Sequence, residues 1–289
     1  MRAIAEFVMR GRSQAMLVTV ISAGTILFYW VGAAALALVT LRQGIQQGFI
    51  LLLWALLPAV AVAVYGGETA PLVVMTGSFL AAVVLRQTSS WSLALLAISA
   101  TGVVAALTIL AFEPAWLHEL VTVVEAFFER FASSLEQQGE AIAIATPTMP
   151  QIVGMLGMVN AFTIVICLAL GRSWQAALYN PGGFQEEFHS LRLSKRVALP
   201  LALVILLCIL QGTDWLVWGY ILALPLLVAG VALVHGMIAT MKMGTGWLVL
   251  FYGLLLLINP AKELLILAAL LDSWLDFRSR LKPNSRIDE

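Results

Sequence analysis

Apolar runs recur along this chain at close to the spacing of a bilayer crossing, with polar residues confined between them. The runs cover Gln14–Leu41, Gln46–Tyr65, Ala70–Leu85, Trp91–Phe112 and Met149–Leu170. Others follow at Val197–Leu210, Trp215–Met237, Gly246–Ile258 and Ala261–Phe277. Lipid cannot hydrogen-bond an exposed backbone, so a run of roughly 20 apolar residues in a membrane must be helical. The pattern predicts an all-α polytopic transmembrane helical bundle of about 8–10 membrane segments. Residues 1–289 are expected to form a single integral membrane domain.

One long stretch between the runs, Glu113–Pro147, has a different period. Trp116, Leu120, Val124, Phe127, Phe131 and Leu135 recur three and four apart, which places them on one helix face. Glu119, Glu125, Glu129 and Glu136 fall largely off that face. This predicts one external amphipathic helix lying on the membrane or on the bundle. A lid over an outward-facing cavity is the alternative.

Composition narrows the class. The chain is 61% hydrophobic and 11% charged, where a soluble domain is about 45–50% apolar and about 25% charged. That removes soluble enzymes and nucleic-acid binders, and the zero formal net charge offers no field to draw nucleic acid. Cys167 and Cys208 fall inside apolar runs and read as buried thiols, with no metal-ligand set around them. Arg2, Arg10 and Arg12 before an apolar run resemble a secretory signal, but further spans follow, so an uncleaved first helix fits better.

Lys/Arg bias sets orientation. With the N-terminus inside and Gln14–Leu41 as a single helix, Arg42, Arg86 and the cluster Arg172, Arg192, Lys195 and Arg196 fall outside. Two short helices turning near Gly24–Trp30 return all of them to the cytoplasm and put the Glu-rich stretch outside. An outside N-terminus with one long, tilted first helix also fits the later loops, but strands Arg2, Arg10 and Arg12 on the wrong side. A turn at Asn259-Pro260, where proline interrupts helical hydrogen bonding, brings Arg278, Arg280, Lys282 and Arg286 inside too. The expected location is the bacterial inner membrane, with both termini cytoplasmic.

The cytoplasmic loop 171–196 carries the most distinctive residues. Tyr179 precedes Asn180-Pro181-Gly182-Gly183, a strong turn signal: proline presets φ at the second position and glycine permits positive φ at the third. Phe184, Phe188 and Leu191 then share a helix face, with Glu187, Arg192 and Lys195 available beside it. An interfacial helix and a docking site for a cytoplasmic partner both fit. At the end of the last run, Asp272 and Asp276 are four apart and share a helical face, from which Asp276 reaches Arg280. Two carboxylates there need partners, and Arg192 or Arg172 can supply one. A solvated helix end is the alternative.

The segment Leu178 to Phe184, with Glu187-Phe188 and Leu191-Arg192-Leu193, resembles the signature of the YybS-like bacterial membrane proteins, a domain-of-unknown-function family. The ends Ala5-Glu6-Phe7 to Arg10-Gly11-Arg12 and Asp272, Asp276-Phe277-Arg278 are similar to the same group. The resemblance covers essentially the whole chain. It implies a fold related to the substrate-binding subunits of energy-coupling-factor transporters. It also implies a lipid-embedded subunit that recognises a small molecule and works with a transmembrane coupling subunit and an ATPase. Those subunits pack on their partner through small residues four apart, a spacing that Ala33 and Ala37 share.

No phosphate-binding Gly-x4-Gly-Lys loop, His-Glu-x-x-His pair or Gly-x-Ser-x-Gly elbow occurs, so no cofactor, metal or catalytic constellation is expected. His118, His189 and His235 are far apart in sequence. Mid-span polar residues are mild: Asn160, Thr163, Thr101 and Thr108, with His235 nearer an end. Together with Trp218, Tyr220 and Tyr252 they could line a small cavity, although interhelical hydrogen bonding explains each alone. Asp214, Trp215 and Trp218 look like interfacial anchors. The expectation is small-molecule binding or transport. The alternative is a scaffold or regulator that recruits a partner through 171–196. A sealed polar cavity favours the first and a filled bundle core the second.

Overall fold

The computed structural model describes residues 2–137, 145–258 and 260–281. All regular structure among them is helical. The chain begins with α1 (Arg2–Met9), α2 (Arg12–Ala23), α3 (Tyr29–Gln43), α4 (Ile45–Gly66), α5 (Ala70–Thr88), α6 (Trp91–Phe112) and α7 (Ala115–Gln137). It continues with α8 (Met149–Tyr179), α9 (Gly183–Ser190), α10 (Lys195–Leu210), α11 (Thr213–Thr240), α12 (Gly246–Leu257), α13 (Ala261–Leu275) and α14 (Phe277–Leu281). Five helices are long and apolar enough to cross a membrane, or up to seven if each bent pair, α9–α10 and α12–α13, is one span. The larger number read from the sequence also counted α2, α3 and the halves of the second pair.

The first apolar run is two helices. It breaks at Gly24–Phe28, and the halves of 12 and 15 residues pack as a hairpin. Arg12 and Arg42 therefore lie at the same end of the bundle. The later helices alternate direction, and Arg86, Arg172, Arg192 and Arg278 gather at that end too. The opposite end carries Glu68, Glu113, Asp214 and Glu263. Contacts fix it: Thr148 Oγ1 donates to Asp214 Oδ1 at 2.8 Å, joining the starts of α8 and α11, and Tyr220 donates to Glu263 at 2.8 Å. Asp214 thus ties two helix ends together, and Trp218 is buried against Val153 rather than sitting as an interfacial anchor.

Between lipid-solvated helices, association comes from close packing rather than from expelling water, so small residues govern it. α3 is the hub. Ala33, Ala34, Ala35, Leu36, Ala37 and Leu38 are all 0% exposed. A Cβ on Gly171 of α8 would lie 2.8 Å from the Ala34 carbonyl oxygen and 2.9 Å from the Ala37 Cβ. Ala33 and Ala37, four residues apart, are thus both fully buried within the chain. α6 and α8 cross equally closely, with glycine on both sides. A Cβ on Gly102 would lie 2.8 Å from the Gly157 carbonyl oxygen, and one on Gly157 equally close to that of Gly102.

α7 is the expected amphipathic helix outside the bundle. It touches the bundle through Trp116, Leu117 and Val121. Farther along, Phe127 and Phe131 stack at 6.3 Å and stay exposed within the chain. Residues 138–144, the later part of that external stretch, lie outside the described residues.

Candidate functional site

At the basic end, α8 runs about two and a half turns past the apolar limit at Leu170, to Tyr179. Arg172 and Gln175 interrupt the apolar pattern without ending the helix, because both find partners. Gln175 Nε2 donates to the Leu41 carbonyl at 3.5 Å, and Arg86 donates to the same oxygen. Two side chains thus satisfy an orphan carbonyl at the end of α3. Tyr179 receives the Arg42 guanidinium over its ring at 4.0 Å.

The Asn180–Gly183 turn forms as its sequence requires. Gly182 has φ 89°, and the Gly183 N–H donates to the Asn180 carbonyl at 3.0 Å. These values match a type II turn with Pro181 at its second position. Asn180, Pro181 and Gly182 are exposed, while Gly183 is buried at the start of α9.

α9 lies across the bundle end and is held on three sides. Glu187 accepts from Arg172 Nε at 3.0 Å and from Trp91 Nε1 at 3.2 Å, and a second Arg172 nitrogen pairs with its other oxygen. Phe184 packs against Trp91 at 6.0 Å, and Phe188 meets the His235 ring edge-on at 5.4 Å. Leu191 is buried, as its shared face with the two phenylalanines predicts. Ser92 of α6 donates to the Arg192 carbonyl at 3.1 Å.

Arg192 then reaches the terminal helix, where its Nη1 lies 2.8 Å from Asp276 Oδ2. The expected arginine–aspartate pairing is present, and Arg172 serves Glu187 instead. The shared helical face of Asp272 and Asp276 is not. α13 ends at Asp276, which has φ 49°, so the two carboxylates diverge and Asp276 makes no ion pair with Arg280 among the described residues. Asp272 is 1% exposed, and its Oδ1 accepts the Phe277 N–H at 2.8 Å, linking α13 to α14. Burial lowers the affinity of Arg278 for its proton, with the Asp272 carboxylate opposing that shift. Burial and then Arg278 likewise lower the His189 pKa.

The mid-span polar residues do not converge. Thr101, Thr108 and Thr163 each donate to a carbonyl of their own helix, four residues back. Asn160 is buried in α8. His235 shares a 2.8 Å hydrogen bond with Tyr252, and its ring lies 6.4 Å from that of His189. Two of the three histidines therefore meet, which their sequence separation concealed. At the helical rise of about 1.5 Å per residue, Asn160 sits about 16 Å above the acidic end and His235 about 33 Å above it.

Clefts open at the basic end. One of about 650 Å³ is lined by Glu186, His189, Arg192, Thr240, Asp276 and Arg278 among others. Another, of about 390 Å³, lies beside Arg86, Trp91, Arg172 and Glu187. Among the described residues, no group of three or more His, Cys, Asp or Glu could hold a metal ion. No protein-family model, curated protein or solved structure matches the chain.

Proposed function

We propose that this protein is a multi-pass membrane scaffold that presents residues 179–196 as a fixed polar platform to a partner protein. The observation that carries this reading is the way α9 is held. Its inward residues Phe184, Glu187 and Phe188 are spent on α6, α8 and α11, while Gln185, Glu186, Lys195 and Arg196 remain exposed. A surface held rigid before binding loses little conformational freedom on docking. The bundle centre supports the same reading. At the α6–α8 crossing the backbones approach too closely to leave a passage. The concentration of arginines at the platform end favours its facing the cytoplasm, in the inner membrane of a bacterium.

The rival is a substrate-recognising subunit served by a coupling subunit and an ATPase. It draws on the family resemblance and needs Asn160 and His235 to share a polar hollow, which their different depths disfavour. A photo-crosslinking residue placed at Gln185 in cells tests the two. The scaffold predicts a discrete protein adduct that disappears with Glu186→Lys plus Arg196→Glu and is missing when the probe sits at lipid-facing Leu250. Lipid adducts alone at Gln185, or saturable solute uptake by the purified protein in proteoliposomes, would overturn it.

A further inference from the structure

The cleft between α9, the end of α11 and α14 has a donor inventory that the platform does not use. Its hydroxyls are committed: Ser190 donates to the Glu187 carbonyl at 3.0 Å, Thr240 to Gly236 at 2.8 Å and Ser279 to Asp276 at 2.8 Å. Asp276 is balanced by Arg192. Asp272 lies behind: its Oδ1 accepts the Phe277 N–H, while its Oδ2 is buried with no hydrogen-bond partner among the described residues and adds a second opposing carboxylate. Glu186 lines the cleft and opposes a bound anion. Against these stands Arg278. It lines the cleft, yet its Nε and Nη2 are buried and have no hydrogen-bond partner among the described residues.

Leaving a guanidinium in that state is costly, and most buried polar groups of this kind have a partner. Gly236 lets α9 come close beside it, since a Cβ there would lie 2.8 Å from the His189 carbonyl oxygen, while Arg278 Nε would be at an ordinary contact distance of 3.5 Å. The planar fork of a guanidinium matches phosphate oxygens in a bidentate manner, and Arg192 and the His189 ring lie beside it in the same cleft. We propose that this cleft binds a phosphate group, with Arg278 as its principal ligand and Arg192 beside it. The group can belong to a lipid headgroup or to a free anion, since the cleft opens where the bundle leaves the bilayer.

The test uses the full chain purified in a phosphate-free maltoside detergent and reads thermal unfolding together with native mass spectrometry. One arm adds inorganic phosphate against chloride at matched ionic strength. The other adds phosphatidylglycerol to the micelles. Saturable stabilisation is expected in at least one arm. Response to phosphate alone assigns a free anion, response to the lipid alone a headgroup, and response to both the phosphate group itself. Arg278→Gln is expected to weaken the apparent affinity about tenfold or more. Ala239→Trp, at an exposed position lining the same cleft, is expected to block it without touching the core. Absence of stabilisation in both arms overturns the proposal. So does wild-type affinity in both variants, and if Arg278→Gln fails to fold, wild-type affinity in Ala239→Trp alone is decisive.

Discussion

At Gly182 the backbone decides and packing does not. A Cβ there would meet nothing within 4 Å, yet φ is 89°. Gly182→Ala should therefore cost about 1–2 kcal/mol through backbone strain alone, and Gly182→Asn less, because asparagine enters the left-handed region more readily. Thermal unfolding in detergent would rank them, and an alanine variant as stable as wild type would remove the turn from the argument. Arg192 and Asp276 make a different kind of contact. Their side chains are 38% and 45% exposed, so solvent screens the pair and its coupling is about 0.5–1 kcal/mol at most. Arg192→Asp and Asp276→Arg should each loosen α14, and the double exchange should restore it. Equal damage in the double variant would show that the 2.8 Å approach contributes nothing. A cation partner from Arg192 or Arg172 was legible in the sequence, because two carboxylates near a span end demand one, but the choice of Arg192 and Asp276 was not. The Arg172–Glu187–Trp91 cluster was not, since Trp91 and Glu187 lie 96 residues apart.

Among helices, glycines that look alike in sequence divide sharply in role. Gly157 touches a facing backbone oxygen, and neither backbone can retreat without unpacking α6 from α8. Gly157→Ala is expected to destabilise the protein by about 1–3 kcal/mol through overpacking. Gly253, inside α12, has nothing within 4 Å of a Cβ. Gly253→Ala should be neutral or stabilise by up to about 1 kcal/mol, as helix propensity favours alanine. Chemical unfolding of the pair in one detergent would check both signs, and similar losses in both would show that the crossing is not what matters. Helix existence was readable from apolar periodicity alone: α6 begins and ends where its run does, and the break within Gln14–Leu41 followed from charge placement. Helix pairing was not readable. Ala and Gly are so frequent in these runs that four-residue spacings arise everywhere, and only the fold selects Gly102 and Gly157 while burying Ala33 and Ala37 inside. The end of α13 escaped as well. Its pattern runs smoothly to Phe277, and the helix stops at Asp276 because Asp272 turns to cap the next helix.

For the whole molecule, orientation follows from the even number of passes along the bundle between the N-terminus and α9: α2, α3, α4, α5, α6 and α8. α2 and α3 form a hairpin, so Ser13 and Gln185 must share one side of the membrane, and Glu125 of α7 the other. Membrane potential and the translocation machinery hold Lys- and Arg-rich ends in the cytoplasm. Single cysteines at the three positions would read this out, in a background lacking Cys167 and Cys208. The three chosen sites are all exposed, whereas Cys167 is buried and Cys208 half-buried. In spheroplasts, an impermeant maleimide should label Glu125→Cys directly and reach Ser13→Cys and Gln185→Cys only after the membrane is opened. The inverse pattern would place the platform outside and end the proposal of a cytoplasmic partner while leaving the fold intact. Discordance between Ser13→Cys and Gln185→Cys is the more damaging result. It would require α2 and α3 to straighten into one crossing, pulling Ala33–Leu38 out of their contacts with α5 and α8 and dismantling the hub on which the other helices pack.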